Sequence, residues 1–199
     1  MTRFSTASTR GKSFLVSEHE GHIQRVVELS RPGGPIATNA PTATVNNPAW
    51  FRSGPDGEQE PRGERNALHH QLQREARDAF PNVEQEKKAV VLAGPPGAGK
   101  STVRKKVLGK DDDKYLVIDA DVFKEGLLKQ ATSDGSYESW IKPDAVEALE
   151  RETGTTFYPM ELASLVHEES SMMAADLRRD AIERGDNIGL FTIQGVVVV

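Results

Sequence analysis

The chain has 199 residues, a formal charge of −5, 37% hydrophobic and 28% charged residues, and no cysteine. That length fits one ordinary domain with a tail, and the acidic balance, with lysines and arginines interleaved among acids, gives no electrostatic reason to bind nucleic acid. Without cysteine there is no disulfide, thiolate zinc site or cysteine nucleophile; the start lacks the apolar stretch of a signal peptide and no apolar run nears the roughly 20 residues that span a bilayer, so a cytoplasmic protein with no membrane partner is expected.

Residues 1–62 read as a flexible Pro/Gly-rich extension. Within it, "SFLVSEHEGHIQRVVELS" offers Val26, Val27 and Leu29 to one short helix or strand that Gly21 interrupts. His19 and His22 stand beside Glu18 and Glu20 there, but without a convincing fold around them they make a poor metal site. From Arg31 to Pro61 the chain carries six of its eleven prolines and shows no apolar period of 2 or 3.6, which predicts an extended, poorly ordered linker.

Residues 63–199 read as one folded domain. Leu68, Leu72, Ala76 and Phe80, four apart, form a narrow helical stripe that ends at Pro81. "KKAVVLAG" then reads as a strand buried on both faces of a parallel sheet, followed by a glycine-rich loop, a helix stopped by Gly109, a second strand "YLVID", and a second helix "ADVFKEGLLKQ". Strand, loop, helix, strand, helix is the βαβ order of an α/β fold with a parallel sheet flanked by helices. Further on come a short helix around Pro143 to Arg151, a longer one from about Met160 to Arg184 with Leu162, Val166, Met173 and Leu177 on one side, and one or two strands in "NIGLFTIQGVVVV".

The chemistry is concentrated in "VVLAGPPGAGKST". Gly94, Gly99, Lys100 and Ser101 satisfy the phosphate-loop spacing G-x-x-x-x-G-K-[ST] between a buried strand and a helix. Glycines let successive backbone N–H groups turn in around a phosphate, and the helix N-terminus adds its positive end. Gly94, Pro95, Pro96, Gly97, Ala98, Gly99, Lys100, Ser101 and Thr102 are therefore the expected cradle of a nucleoside triphosphate, with Lys100 reaching the β and γ phosphates and the Ser101 hydroxyl ligating Mg²⁺. Asp119 and Asp121 sit where the second strand turns into its helix, at the carboxyl edge where ligands collect. A carboxylate there can accept the proton of an attacking hydroxyl in phosphoryl transfer; the competing reading is a helix N-cap.

"AGPPGAGKST", "VIDADVFKEGLL" and "FYPMELASLVHEESSMMAADLRRDAIERGDNI" together resemble the zeta-toxin family of P-loop kinases, over roughly Leu68 to Ile188. The resemblance implies a P-loop NTPase fold of kinase type and an ATP- and Mg²⁺-dependent phosphorylation of UDP-N-acetylglucosamine at its 3′-hydroxyl, a toxin activity held in check by a small antitoxin. By position it makes Lys100 the P-loop lysine, Ser101 the metal-linked hydroxyl and Asp121 the catalytic base, with Asp119 orienting the turn or a metal-bound water. Glu168 or Glu169 is a candidate for the nucleotide-sugar pocket, but adjacent helical residues point about 100° apart, so at most one is expected to face it, and a solvated helix face is the alternative. The family carries an acid before Gly-Thr in the strand after the long helix, and arginines beyond it. "NIGLFTIQGVVVV" has neither, which implies a chain shortened at its C-terminus. Arg178, Arg179 and Arg184 on the long helix either take over that role or pair with Asp176, Asp180 and Glu183 on a solvated face. The remaining rivals are another P-loop small-molecule phosphotransferase and a nucleotide-binding protein without kinase activity.

Overall fold

A computed structural model describes residues 9–94 and 98–192. Pro95, Pro96 and Gly97 of the phosphate loop, and the chain from Ile193 to Val199, lie outside the described residues.

The fold is α/β. Three parallel strands, β3 (Ala89–Ala93), β5 (Ile188–Thr192) and β4 (Leu116–Ile118), lie in the order β3-β5-β4, with Ala89 and Leu116 both opposite Ile188. The middle place falls to β5, the last of the described strands in sequence. Among the described residues β3 has a neighbour on one side only, and Val90, Val91 and Leu92 are half-buried. This corrects the expectation of a strand buried on both faces: the helix that follows it, Lys100–Leu108, buries no side chain and so covers it poorly. By contrast Leu116 and Ile118 of β4 are 0% and 5% exposed.

The amino ends of the strands are pinned by one residue. The Asn187 side-chain oxygen accepts the backbone N–H groups of Glu86 and Lys88, while its own N–H and C=O meet Glu84 and Leu116. Next to it the buried Asp186 pairs with Arg77 of α2 (Gly63–Asp78). The predicted stripe Leu68, Leu72, Ala76 and Phe80 of that helix packs on the core as expected.

The core itself is helical. Phe123, Leu127, Leu128 and Ala131 of α4 (Ala120–Asp134) meet Met173, Leu177 and Ala181 of α6 (His167–Arg184), and the 3-10 segment Pro159–Val166 adds Leu162, Leu165 and Val166. The single helix expected from Met160 is thus two elements, because Pro159 begins a tighter 3-10 stretch that α6 then continues. Between α4 and that stretch lie a π-helical turn, Tyr137–Ile141, and α5 (Asp144–Thr153). Lys142, 8% exposed, joins the two by pairing with Glu138 and Glu150.

The region from Arg31 to Pro61 is a correction. The chain enters it from α1 (Thr9–Leu29), which runs through Gly21 without a break. It then climbs in three-residue steps, each closed by a backbone bond from residue i+3 to i: Gly34 to Arg31, Ala37 to Gly34, Ala40 to Ala37, Ala43 to Ala40 and Asn46 to Ala43. Every third residue is small and points inward, so Ala37, Ala40 and Ala43 are 1–3% exposed and Ile36 is 0% exposed. Prolines suit such a staircase, since they preset φ for turns and lack an N–H. The apolar period is 3, which neither a strand nor a helix template detects. A hairpin of β1 (Phe51–Ser53) and β2 (Gln59–Pro61) follows, Phe51 being buried. Among the described residues no helix is long and apolar enough to cross a membrane.

Candidate phosphoryl-transfer site

In a parallel sheet all strands end at one edge. Ala93 of β3 lies opposite Thr192 and Ile118 of β4 opposite Leu190 of β5, so the phosphate loop and the Asp119–Asp121 turn leave the same edge with one strand between them. Two strand spacings separate them by about 10 Å.

Gly99 caps α3 (Lys100–Leu108) at φ 73°, in the left-handed region where any other residue is strained, and its carbonyl receives the N–H groups of Thr102 and Val103. Lys100, the first helical residue, arches back across the loop and donates from Nζ to the Gly94 carbonyl at 2.9 Å. This puts a positive charge at the loop mouth and ties its two ends together. Ala98, Ser101 and Thr102 are exposed around it. A helix start, a glycine in the left-handed conformation, a lysine and an exposed hydroxyl in the first turn are what a nucleotide's phosphates and their magnesium ion require, so the residues present fit both.

The two aspartates stand in different surroundings. Asp119 is the N-cap of α4: its Oδ1 accepts the Asp121 N–H at 3.0 Å, which fixes the turn. Asp121 extends from the first turn with its side chain 69% exposed, and its Oδ1 accepts a hydrogen bond from Lys124 Nζ at 2.8 Å. Lys124, 19% exposed, is the better anchored partner. An exposed pair of this kind adds little stability, but it holds one carboxylate oxygen and leaves the other open to solvent.

Glu168 and Glu169 point apart, as adjacent helical residues must. Glu168 is exposed. Glu169 is 0% exposed and fully engaged: Arg65 grips both oxygens, with Nη2 to Oε2 at 2.7 Å, and His69 Nε2 meets Oε1 at 2.7 Å. Trp50 covers the guanidinium at 4.2 Å. Burial pushes the Glu169 carboxyl upward, but the bonds from His69 and Arg65 outweigh it and hold the group below the usual carboxylate range. Of the two candidates for a nucleotide-sugar pocket, Glu169 is therefore neither in a pocket nor on a solvated face but in a buried cluster joining α2 to α6. Arg65 and His69 were not singled out by sequence, although they extend the stripe of Leu68 and Leu72 toward the helix start; two polar residues on an apolar face were the signal.

The arginines of α6 lie on a solvated face. Arg178, Arg179 and Arg184 are exposed, and Arg179 pairs with Asp176 at 2.8 Å. Arg104 of α3 grips Asp112 with two bonds, at 2.6 and 2.9 Å, fastening α3 to the 3-10 turn Gly109–Lys114 that leads into β4.

Compared with protein families, residues 72–190 match the model described as zeta toxin. That span starts within α2 and takes in the phosphate loop, both aspartates and most of β5. A comparison with curated proteins found no match.

Proposed function

The chain belongs to the zeta-toxin family of P-loop kinase-like phosphotransferases, and from that premise we propose that it transfers the γ-phosphoryl group of ATP to the 3′-hydroxyl of UDP-N-acetylglucosamine. The observation that carries the reading is the shared edge: Lys100 and Asp121 flank the end of β5, one at the phosphate loop and the other at the acidic turn.

In this reading the loop backbone and Lys100 bind the β and γ phosphates, and the Ser101 hydroxyl would hold Mg²⁺. The ion, when bound with the nucleotide, supplies neutralisation of charge on the phosphates. Asp121 accepts the proton of the acceptor hydroxyl through the carboxylate oxygen that Lys124 leaves open. Asp119 keeps the turn in place and needs no contact with substrate. Family membership also supports a small antitoxin as partner.

The test is mass spectrometry of UDP-N-acetylglucosamine after incubation with the chain and MgATP, beside Asp121→Asn. Addition of one phosphate by the unaltered chain, and its loss by a factor on the order of 10² to 10⁴ in the variant, is expected. Absence of product while MgATP still binds would overturn the acceptor assignment, and full turnover by Asp121→Asn would overturn the role of that residue.

A further inference from the structure

A second cleft opens where α1 meets the segment between α5 and α6. It is an open groove of about 1080 Å³, with His19, His22 and Arg25 on one side and Thr155, Tyr158 and Glu161 on the other. None of these residues belongs to the phosphate loop or to the acidic turn, and the α1 wall precedes the family-matched residues.

The two walls are held together by a built contact. His22 is 9% exposed, its ring lies 4.7 Å from that of Phe157, and its Nε2 meets Glu161 Oε1 at 2.7 Å. Its Nδ1 is buried without a partner, which is costly unless something nearby compensates. The second Glu161 oxygen accepts the Tyr158 N–H at 2.8 Å. Both oxygens of the one carboxylate lining the cleft are thus occupied.

What remains open is a set of donors. Arg25 and His19 are exposed and make no ion pair or hydrogen bond among the described residues. Thr155 and Thr156 stand on the opposite wall, and Tyr158, 68% exposed, stands beside them. Arg25 is the charged group of the lining whose donors are unspent, it faces threonines, and the Glu161 oxygens are already taken by donors, a set that suits a ligand rich in negative acceptor oxygens. The planar fork of an arginine matches phosphate in particular.

We propose that this cleft is a second ligand site, separate from the phosphate loop, that takes a small phosphate-bearing molecule with Arg25 as its phosphate contact. The threonine hydroxyls meet the hydroxyl groups of the ligand, and the His22–Glu161 pair fixes the width of the cleft before anything binds, which lowers the ordering cost of binding.

The experiment reads the two phosphate sites separately. Inorganic phosphate and ribose 5-phosphate are titrated into the full chain, into Lys100→Ala and into Arg25→Glu, each followed by backbone amide NMR. Both probes are expected to shift the amides around His22 to Arg25 and Gly154 to Tyr158 in the unaltered chain, and equally in Lys100→Ala. Arg25→Glu, a surface change whose folding the dispersed spectrum verifies, should weaken that response by roughly tenfold or more while amides near Lys100 still respond. Absence of shifts at Gly154 to Tyr158, undiminished affinity in Arg25→Glu, or loss of the response in Lys100→Ala would each overturn the proposal.

Discussion

The edge of the sheet and the helical layer are built to opposite specifications. In the layer, Leu127, Leu162, Met173 and Ala181 are all 0% exposed. At the edge α3 buries no side chain, Val103 and Val107 are 44% and 62% exposed, and Asp121 stands in solvent. A site that must admit a nucleotide hangs on few contacts, and such segments belong to the low-stability end of a fold. The helices and the alanine staircase supply the order that the edge lacks. Substitutions in the layer should therefore change stability and spare nucleotide affinity, and those at the edge should do the reverse.

The largest effect is expected from Arg65→Ala. It leaves the Glu169 carboxylate buried with His69 alone, and breaking such a pair costs about 3–5 kcal/mol. Urea unfolding would measure the loss, and MgATP affinity below the transition should stay near that of the unaltered chain. The same cluster sets an acid response. A carboxyl whose native pKa is depressed stabilises the fold in full above its unfolded value of about 4.3, and loses that contribution as pH falls through the native value. Melting temperature should thus fall as pH drops below about 5, and Glu169→Gln should lack that part of the decline.

Ile36→Ala tests whether the staircase belongs to the layer. Ile36 is 0% exposed and its carbonyl accepts the Ser164 hydroxyl at 2.5 Å, so truncation should cost about 2–5 kcal/mol, whereas an unpacked linker would show no change. Lys100→Ala is the converse. MgATP affinity should fall by roughly tenfold or more, with a stability change smaller than that of Ile36→Ala, since the lysine is half-buried at the exposed edge of the sheet and donates to the Gly94 carbonyl.

What the sequence makes legible follows the periods that its residues obey. Gly94 to Ser101 and the Asp119–Asp121 turn are read from spacing alone, because a phosphate cradle and a strand-to-helix turn are local devices. The parallel order of the sheet follows from the βαβ pattern. The central place of β5 does not, since it depends on which strand the helices carry inward and leaves no local mark on Ile188 to Thr192. Residues 31–46 are not legible as packed, because their small residues recur every third position, and a composition rich in proline and glycine looks the same in a packed turn series as in a loose linker. The sequence does not decide between Glu168 and Glu169, nor between a pocket and a solvated face, because the partners of Glu169, Arg65 and His69, lie about 100 residues away in the chain.

The smallest effect tests how closely the layer is packed at its rim. Gly126 lies in α4 where α2 crosses, and an added Cβ would meet Leu72 Cδ2 at 2.9 Å and Cδ1 at 3.3 Å. Those atoms are the far end of a flexible side chain beside the groove between α2 and α4, so Leu72 can turn aside at the cost of some contact. Alanine gains about 0.8–1.0 kcal/mol over glycine in a helix interior, which offsets that cost. Gly126→Ala should therefore shift urea stability by less than about 0.5 kcal/mol, whereas Gly126→Val, which cannot be relieved by one rotamer, should destabilise by about 1–3 kcal/mol. Equal losses in the two variants would mean that Leu72 is held rigidly, and that the edge of the helical layer is as tightly packed as its centre.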